Sequence, residues 1–167
     1  VLVTGASGGI GEAFARAFAA EGCNIVFNGL GEPAAIEKLR AEIAAKNIVD
    51  VVYDSADVGK PDEVEKMINT ALKRFGVIDI VINNAVTRHY APVEKFPVDK
   101  WDRALAVNLS SAFHTIRLAL PAMKAKNWGR IINMASIHAT NLVKDRVDYM
   151  TTKAAIVGLT RAVALEC

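Results

Sequence analysis

Val1-Leu2-Val3-Thr4-Gly5-Ala6-Ser7-Gly8-Gly9-Ile10-Gly11 decides the fold. Its first three residues are apolar and stop at Thr4-Gly5, which reads as a strand buried on both faces. The stretch from Glu12 to Glu21 is rich in Ala and Phe with apolar spacings of three and four, which reads as a helix. Between them stand four glycines in seven residues, Gly5 to Gly11. Strand, glycine-rich turn and helix together suit an anion. Glycine lets a ligand come close to the main chain. The free N–H groups and positive end of the helix then suit a pyrophosphate. Gly5, Ser7, Gly8, Gly9, Ile10 and Gly11 are therefore candidate binding residues. The plain alternative is a tight turn with no ligand.

Outward from this stretch, strands and helices alternate. Asn24–Phe27 reads as a second strand, and Pro33 opens a helix to about Lys46. Val49–Tyr53 is a third strand, and Pro61 opens a helix to about Phe75 that Gly76 closes. Val77–Ile82 is a fourth strand, followed by the loop Thr87–Val98 and a long helix, Asp99–Lys126. Ile131–Ala135 is a fifth strand, and Tyr149–Cys167 is a last helix. The alternation predicts an α/β, Rossmann-type doubly wound parallel sheet. The 167 residues suit one domain, with no repeat or linker.

Open α/β sheets bind ligands at the carboxyl ends of their strands, and the candidates gather there. Asn28 ends the second strand, where a dinucleotide fold faces the adenine ribose. No Arg or Lys stands at Asn28-Gly29-Leu30-Gly31-Glu32 or in the glycine turn, and Glu32 would repel a 2′-phosphate, which favours NAD over NADP. Asp57, with Val58, follows the third strand and is a candidate acceptor for an adenine amino group, or else belongs to a polar loop. Asn84 and Ala85 follow the fourth, where an amide ties neighbouring loops together or contacts a ribose. Ser136 follows the fifth, thirteen residues before Tyr149. Tyr149 and Lys153 are spaced i,i+4, so a helix projects phenol and ammonium from one face. A nearby cation favours phenolate, which suits Tyr149 to exchange a proton with an alcohol or carbonyl. Asn108 stands mid-helix between apolar residues, where it needs buried partners or kinks the helix.

Composition excludes other classes. A formal charge of +2 is too small to argue for nucleic acid or membrane. There is no apolar run of spanning length. Cys23 and Cys167 make neither a disulfide framework nor a metal site, and the three histidines have no ligand-like spacing, so no metal is expected. The expected setting is reduced and cytoplasmic.

Taken together, these pieces resemble the short-chain dehydrogenase/reductase family over all 167 residues. Thr4-Gly5-x-x-x-Gly9-Ile10-Gly11 matches its cofactor turn and Asp57-Val58 its adenine contact. Asn83-Asn84-Ala85 matches its Asn-Asn-Ala-Gly motif, with Val86 in place of glycine. Asn108, Ser136, Tyr149 and Lys153 match its catalytic tetrad in order and spacing. The resemblance implies strand order 3-2-1-4-5, and hydride transfer between nicotinamide and a secondary alcohol or ketone. It implies Tyr149 as acid/base, Lys153 on the nicotinamide ribose, Ser136 on the substrate oxygen, and Asn108 fixing a water beside Lys153. It also implies pairing of copies into a homodimer or homotetramer through helices 99–126 and 149–167. Members continue through two further strands and a substrate lid, so the chain is expected to be a fragment.

Within the family the chain looks most like 3-hydroxybutyrate dehydrogenases, around Ala91–Pro97, Asn108–Thr115 and Met123–Asn133. There a Gln, a His and a Lys hold the substrate carboxylate. Arg88, His138 and Arg146 stand at those positions, which implies a small anionic substrate and a more basic pocket. The alternatives are arginines in solvent or paired with Asp145 or Asp148. Other readings are a 3-oxoacyl thioester or sugar/polyol reductase of the same family, a nucleotide-binding domain without turnover, and a subunit that only dimerises.

Overall fold

The computed structural model describes all 167 residues. Five parallel strands form one sheet in the order β3-β2-β1-β4-β5, as the resemblance implied. They are β1 Leu2–Val3, β2 Ile25–Asn28, β3 Val51–Asp54, β4 Ile80–Asn83 and β5 Arg130–Asn133. Six α-helices connect and flank them: α1 Gly9–Ala20, α2 Pro33–Asn47, α3 Pro61–Phe75, α4 Val98–Leu105, α5 Ser111–Lys126 and α6 Val147–Glu166. The strand order reverses between β1 and β4, the switch point at which such sheets open a crevice.

Side chains alternate across the strands and so build two cores. Leu2, Val26 and Val81 face Val64, Met67 and Ile68 of α3 and Ala119 and Met123 of α5. Val3, Phe27 and Ile82 face the opposite way, with Ala15 and Ala19 of α1 and Ile36 and Ile43 of α2. Phe27 is fully buried, which alone contributes roughly 1.5–3 kcal/mol over leaving it in water.

Local chemistry sets the ends of the elements. Glu32 caps α2 by accepting from the Ala35 N–H at 3.0 Å, with Pro33 in the first turn. Gly76 closes α3 at φ 76°, a conformation that favours glycine. β2, β3 and β4 sit one to three residues later than their apolar runs predict, and β5 one to two residues earlier. Asn28, Asp54 and Asn83 extend β2, β3 and β4 because they find partners inside the sheet. The Asn28 amide donates to the carbonyls of Asp54 and Ala56. Asn83 joins Asn133 and Thr115.

The predicted long helix from Asp99 is three pieces on one path. Between α4 and α5 the residues Ala106–Ser110 form a π-helical turn. Such a turn widens the ladder by one residue and is frequent at functional sites. Asn108 lies at its centre.

Candidate active site at the carboxyl rim of the sheet

A cleft of about 620 Å³ opens at the carboxyl ends of β1, β2 and β4. Gly5, Ser7, Gly8 and Ile10 line it from the glycine turn, and Asn28 from the tip of β2. Asp57 and Val58 line it after β3, Asn84 and Ala85 after β4, and Tyr149 and Lys153 from α6. Gly9 and Gly11 are not on its wall. Gly11 acts in packing: a Cβ there would stand 2.1 Å from the Gly5 carbonyl oxygen, so only glycine lets α1 seat against the turn. Gly8 has open space around its missing Cβ, and no side chain caps α1. The first N–H groups of that helix are thus left for a ligand, the arrangement that suits a pyrophosphate.

The predicted polar contacts are largely engaged with the protein. The Asn84 amide donates to the carbonyls of Thr4 at 3.1 Å and Gly5 at 3.0 Å. The Thr4 hydroxyl accepts from the N–H groups of Asn84 and Ala85. Together they tie the glycine turn to the end of β4. Ser7 Oγ donates to the Leu30 carbonyl at 2.8 Å. Asp57 accepts two hydrogen bonds from Arg103, at 2.9 and 2.7 Å, and one from the Gly59 N–H. The Arg103 guanidinium and then that N–H hold the carboxyl below its ordinary range. Arg103 also lines the cleft, and nothing in the local sequence marks it. Gly29 lines the cleft as well, while Thr4, part of the cofactor-turn match, serves as a tie to the end of β4. Gly29 carried a signal, since it lies in Asn-Gly-Leu-Gly; a Cβ there would come within 2.8 Å of the Ser7 N–H nitrogen.

The other end of the cleft is built around Tyr149, a residue only 8% exposed. Lys153 lies 5.8 Å from the ring centroid and donates to the Met134 carbonyl. Burial, helped by the charge of Arg88, pushes the Lys153 ammonium down to about 8. Ser136 accepts from the His138 N–H at 3.1 Å and keeps its own O–H unassigned. Asn108 is buried. Its oxygen accepts from the Thr87 N–H at 2.8 Å, and its amide donates to the Thr87 carbonyl at 3.0 Å and to Thr152 Oγ1 at 3.3 Å. Its amide thereby holds a loop and a neighbouring helix.

Arg88, Arg146 and His138 all approach the same ring. The two guanidinium carbons lie 5.0 and 5.8 Å from the Tyr149 centroid, and the imidazole centroid lies 6.3 Å away. Neither arginine makes an ion pair. Arg146 instead lies over the Tyr90 ring, 4.5 Å from its centroid. Asp148 accepts from the His89 N–H at 3.0 Å, not from an arginine. No three His, Cys, Asp or Glu side chains gather as a metal would require, and no helix is long and apolar enough to cross a membrane.

Comparison with known proteins agrees with this geometry. The family model described as short chain dehydrogenase matches residues 1–167. The chain is 47% identical over 165 residues to the D-beta-hydroxybutyrate dehydrogenase of Rhizobium meliloti and 48% identical over 166 residues to that of Cupriavidus necator. Each match covers 99% of this chain but only 64% and 63% of the two relatives, so the chain spans just under two thirds of their length. A 3-oxoacyl-(acyl-carrier-protein) reductase of Staphylococcus aureus is 36% identical over 99% of this chain and 67% of its own. Among solved structures, an alcohol dehydrogenase from Thermococcus sibiricus, complexed with 5-hydroxy-NADP, superposes with a TM-score of 0.91 at 30% identity, covering 99% of this chain and 69% of that one. With its sheet order, glycine turn and Tyr-x-x-x-Lys helix now in place, the chain belongs to the short chain dehydrogenase family.

Proposed function

We propose that the whole protein interconverts a secondary alcohol and a ketone on a small anionic hydroxy or oxo acid, such as 3-hydroxybutyrate and acetoacetate, with NAD. The observation that carries this reading is the ring of Arg88, Arg146 and His138 around Tyr149, with neither arginine in an ion pair. A carboxylate supplies the bidentate partner that such guanidinium groups lack. The names of the two relatives at 47% and 48% identity support the same substrate class.

The cleft fits a nicotinamide dinucleotide. The uncapped start of α1 and the open side of Gly8 would hold its pyrophosphate. Of the residues lining the cleft, Ser7, Asn28, Asp57 and Val58 would take its adenosine end, and Asn84, Ala85 and Lys153 its other end. When bound, the nicotinamide gives or takes the hydride. Every other task falls to this chain. Tyr149 gives a proton to the carbonyl oxygen or takes one from the alcohol. Lys153, buried close by, sets a positive charge beside the phenol ring. Ser136 donates its free O–H to the substrate oxygen, where negative charge develops. Asn108 holds the loop that bears Arg88. For the choice of dinucleotide, Glu32 at the cap of α2 and the lack of any Arg or Lys from Asn28 to Glu32 favour NAD. Exposed Phe113 on α5 and Leu165 on α6 support pairing of two copies across these helices.

The test follows absorbance of NADH and of NADPH, separately, with the full-length protein. The substrates are acetoacetate, other oxo acids and neutral ketones. NADH consumption with the acids supports the reading. Consumption with neutral ketones alone keeps Tyr149 and discards the anion ring. NADH binding without turnover would leave a nucleotide-binding domain.

A further inference from the structure

Arg88 stands at the centre of a bracket. On one side Thr87 is held at both of its backbone groups by Asn108, at 2.8 and 3.0 Å. On the other side the His89 N–H donates to Asp148 Oδ2 at 3.0 Å. The two clamping residues are 2% and 1% exposed, whereas Arg88 is exposed. They come from different elements, Asn108 from the π-helical turn and Asp148 from the first turn of α6.

Asp148 is an unusual group to bury. Its second oxygen, Oδ1, is enclosed and has no hydrogen-bond partner. An enclosed carboxylate oxygen without a partner costs free energy that local packing does not return. Such a group calls for an explanation. What Asp148 does hold is one N–H of an otherwise irregular segment, next to the arginine of the cleft. Loops are ordinarily the mobile part of a fold. A side chain as long as arginine reaches a fixed point only if its Cα is fixed, and a fixed donor binds with less ordering cost.

We propose that Asp148 is a positioning residue for the substrate anion: by accepting from the His89 N–H it closes the bracket that Asn108 opens and fixes Arg88 over Tyr149. The proposal rests on the reading that the cleft takes an oxo acid. Asp148 immediately precedes Tyr149 on α6. The anion-holding arginine is thereby referenced to the same helical turn as the proton-transferring phenol. The spacing between substrate carboxylate and carbonyl becomes a property of one rigid piece.

The experiment uses the full-length protein with acetoacetate and NADH, and the variants Asp148→Ala, Asp148→Asn, Arg88→Met and the double variant Asp148→Ala/Arg88→Met. Asn keeps one oxygen that accepts from the His89 N–H, and Ala does not. Asp148→Ala is expected to raise the KM for acetoacetate about tenfold, with the KM for NADH moving far less, while Asp148→Asn stays within about threefold. In the double variant, loss of Asp148 adds little to the effect of Arg88→Met, because the two act through one position. Full additivity overturns the proposal, and so does an Asp148→Asn variant as impaired as Asp148→Ala. If Arg88→Met leaves the KM for acetoacetate untouched, the oxo-acid reading itself is wrong. Should Asp148→Ala fail to fold, hydrogen exchange on the unmodified protein decides: a slowly exchanging His89 amide supports the bracket, and exchange as fast as the rest of the loop overturns it.

Discussion

The guanidinium carbon of Arg88 lies 5.0 Å from the centroid of the Tyr149 ring. That is within cation–π range, and it puts a permanent positive charge beside both the phenol and the buried Lys153. The charge adds to the effect of burial in lowering the affinity of Lys153 for its proton. Replacing Arg88 by Met therefore has two separable consequences. The KM for an oxo acid rises about tenfold, equivalent to about 1.4 kcal/mol of lost binding. The Lys153 ammonium, freed of a like charge, then titrates above about 8. If activity needs protonated Lys153, the alkaline limb of the pH–rate profile moves upward in the variant. The profile of kcat against pH checks it.

Tyr149→Phe is expected to abolish turnover while leaving the NADH affinity within a fewfold. No hydrogen bond joins the Tyr149 hydroxyl to the rest of the protein, and the hydroxyl is not enclosed. Its removal thus leaves no buried group unpaired, and Tm is expected to shift by no more than about 2 °C. Fluorescence titration with NADH beside a steady-state assay separates the two effects.

Lys153 carries a stability signature with a definite sign. Its folded value is lowered from 10.5 to about 8, so the folded state binds this proton less well than the unfolded chain. The cost, on the order of 3 kcal/mol, is present in full below pH about 8 and is relieved as pH rises from there towards 10.5. Lys153→Met removes the titration. The variant, although inactive, is expected to match or exceed the unmodified protein in stability at pH 7 and to lose that advantage by pH 10. Urea midpoints of both proteins at the two pH values test the difference.

Two neighbouring glycines are expected to fail in opposite ways. Gly11→Ala drives a Cβ to 2.1 Å from the Gly5 carbonyl oxygen, a backbone atom that cannot move aside. Overpacking of this kind costs about 1–3 kcal/mol or more, visible as a lowered urea midpoint even without cofactor. Gly8→Ala meets nothing within 4 Å and needs no positive φ, so the apo stability holds. Its methyl group instead occupies the cleft, and NADH affinity falls about tenfold or more.

Local signals made the frame of this protein readable. The glycine turn, the alternation of apolar runs and the Tyr149–Lys153 spacing each lie within a few residues of sequence, and each reports its own geometry. Strand ends were less legible because no apolar pattern carries the strands through Asn28 and Asn83, yet both are buried with partners far along the chain. The same distance hid much of the site. Thr4 meets Asn84 across 80 residues, Arg103 meets Asp57 across 46, and Asp148 meets His89 across 59. The π-helical turn was foreshadowed only by the misfit of Asn108 in an apolar helix. No periodicity reveals its bonds to Thr87 and Thr152.

The cleft divides its work between main chain and side chain. One end of it consists of peptide N–H groups and positions without a Cβ, while at the other the side chains of Arg88, His138, Arg146 and Lys153 stand around Tyr149. A backbone turn carries almost no information about what lies at the far end of the ligand, and a side-chain ring carries almost none about the fold. Substitutions around Tyr149 can therefore reshape the side-chain ring while the main-chain turn at the start of α1 stays as it is.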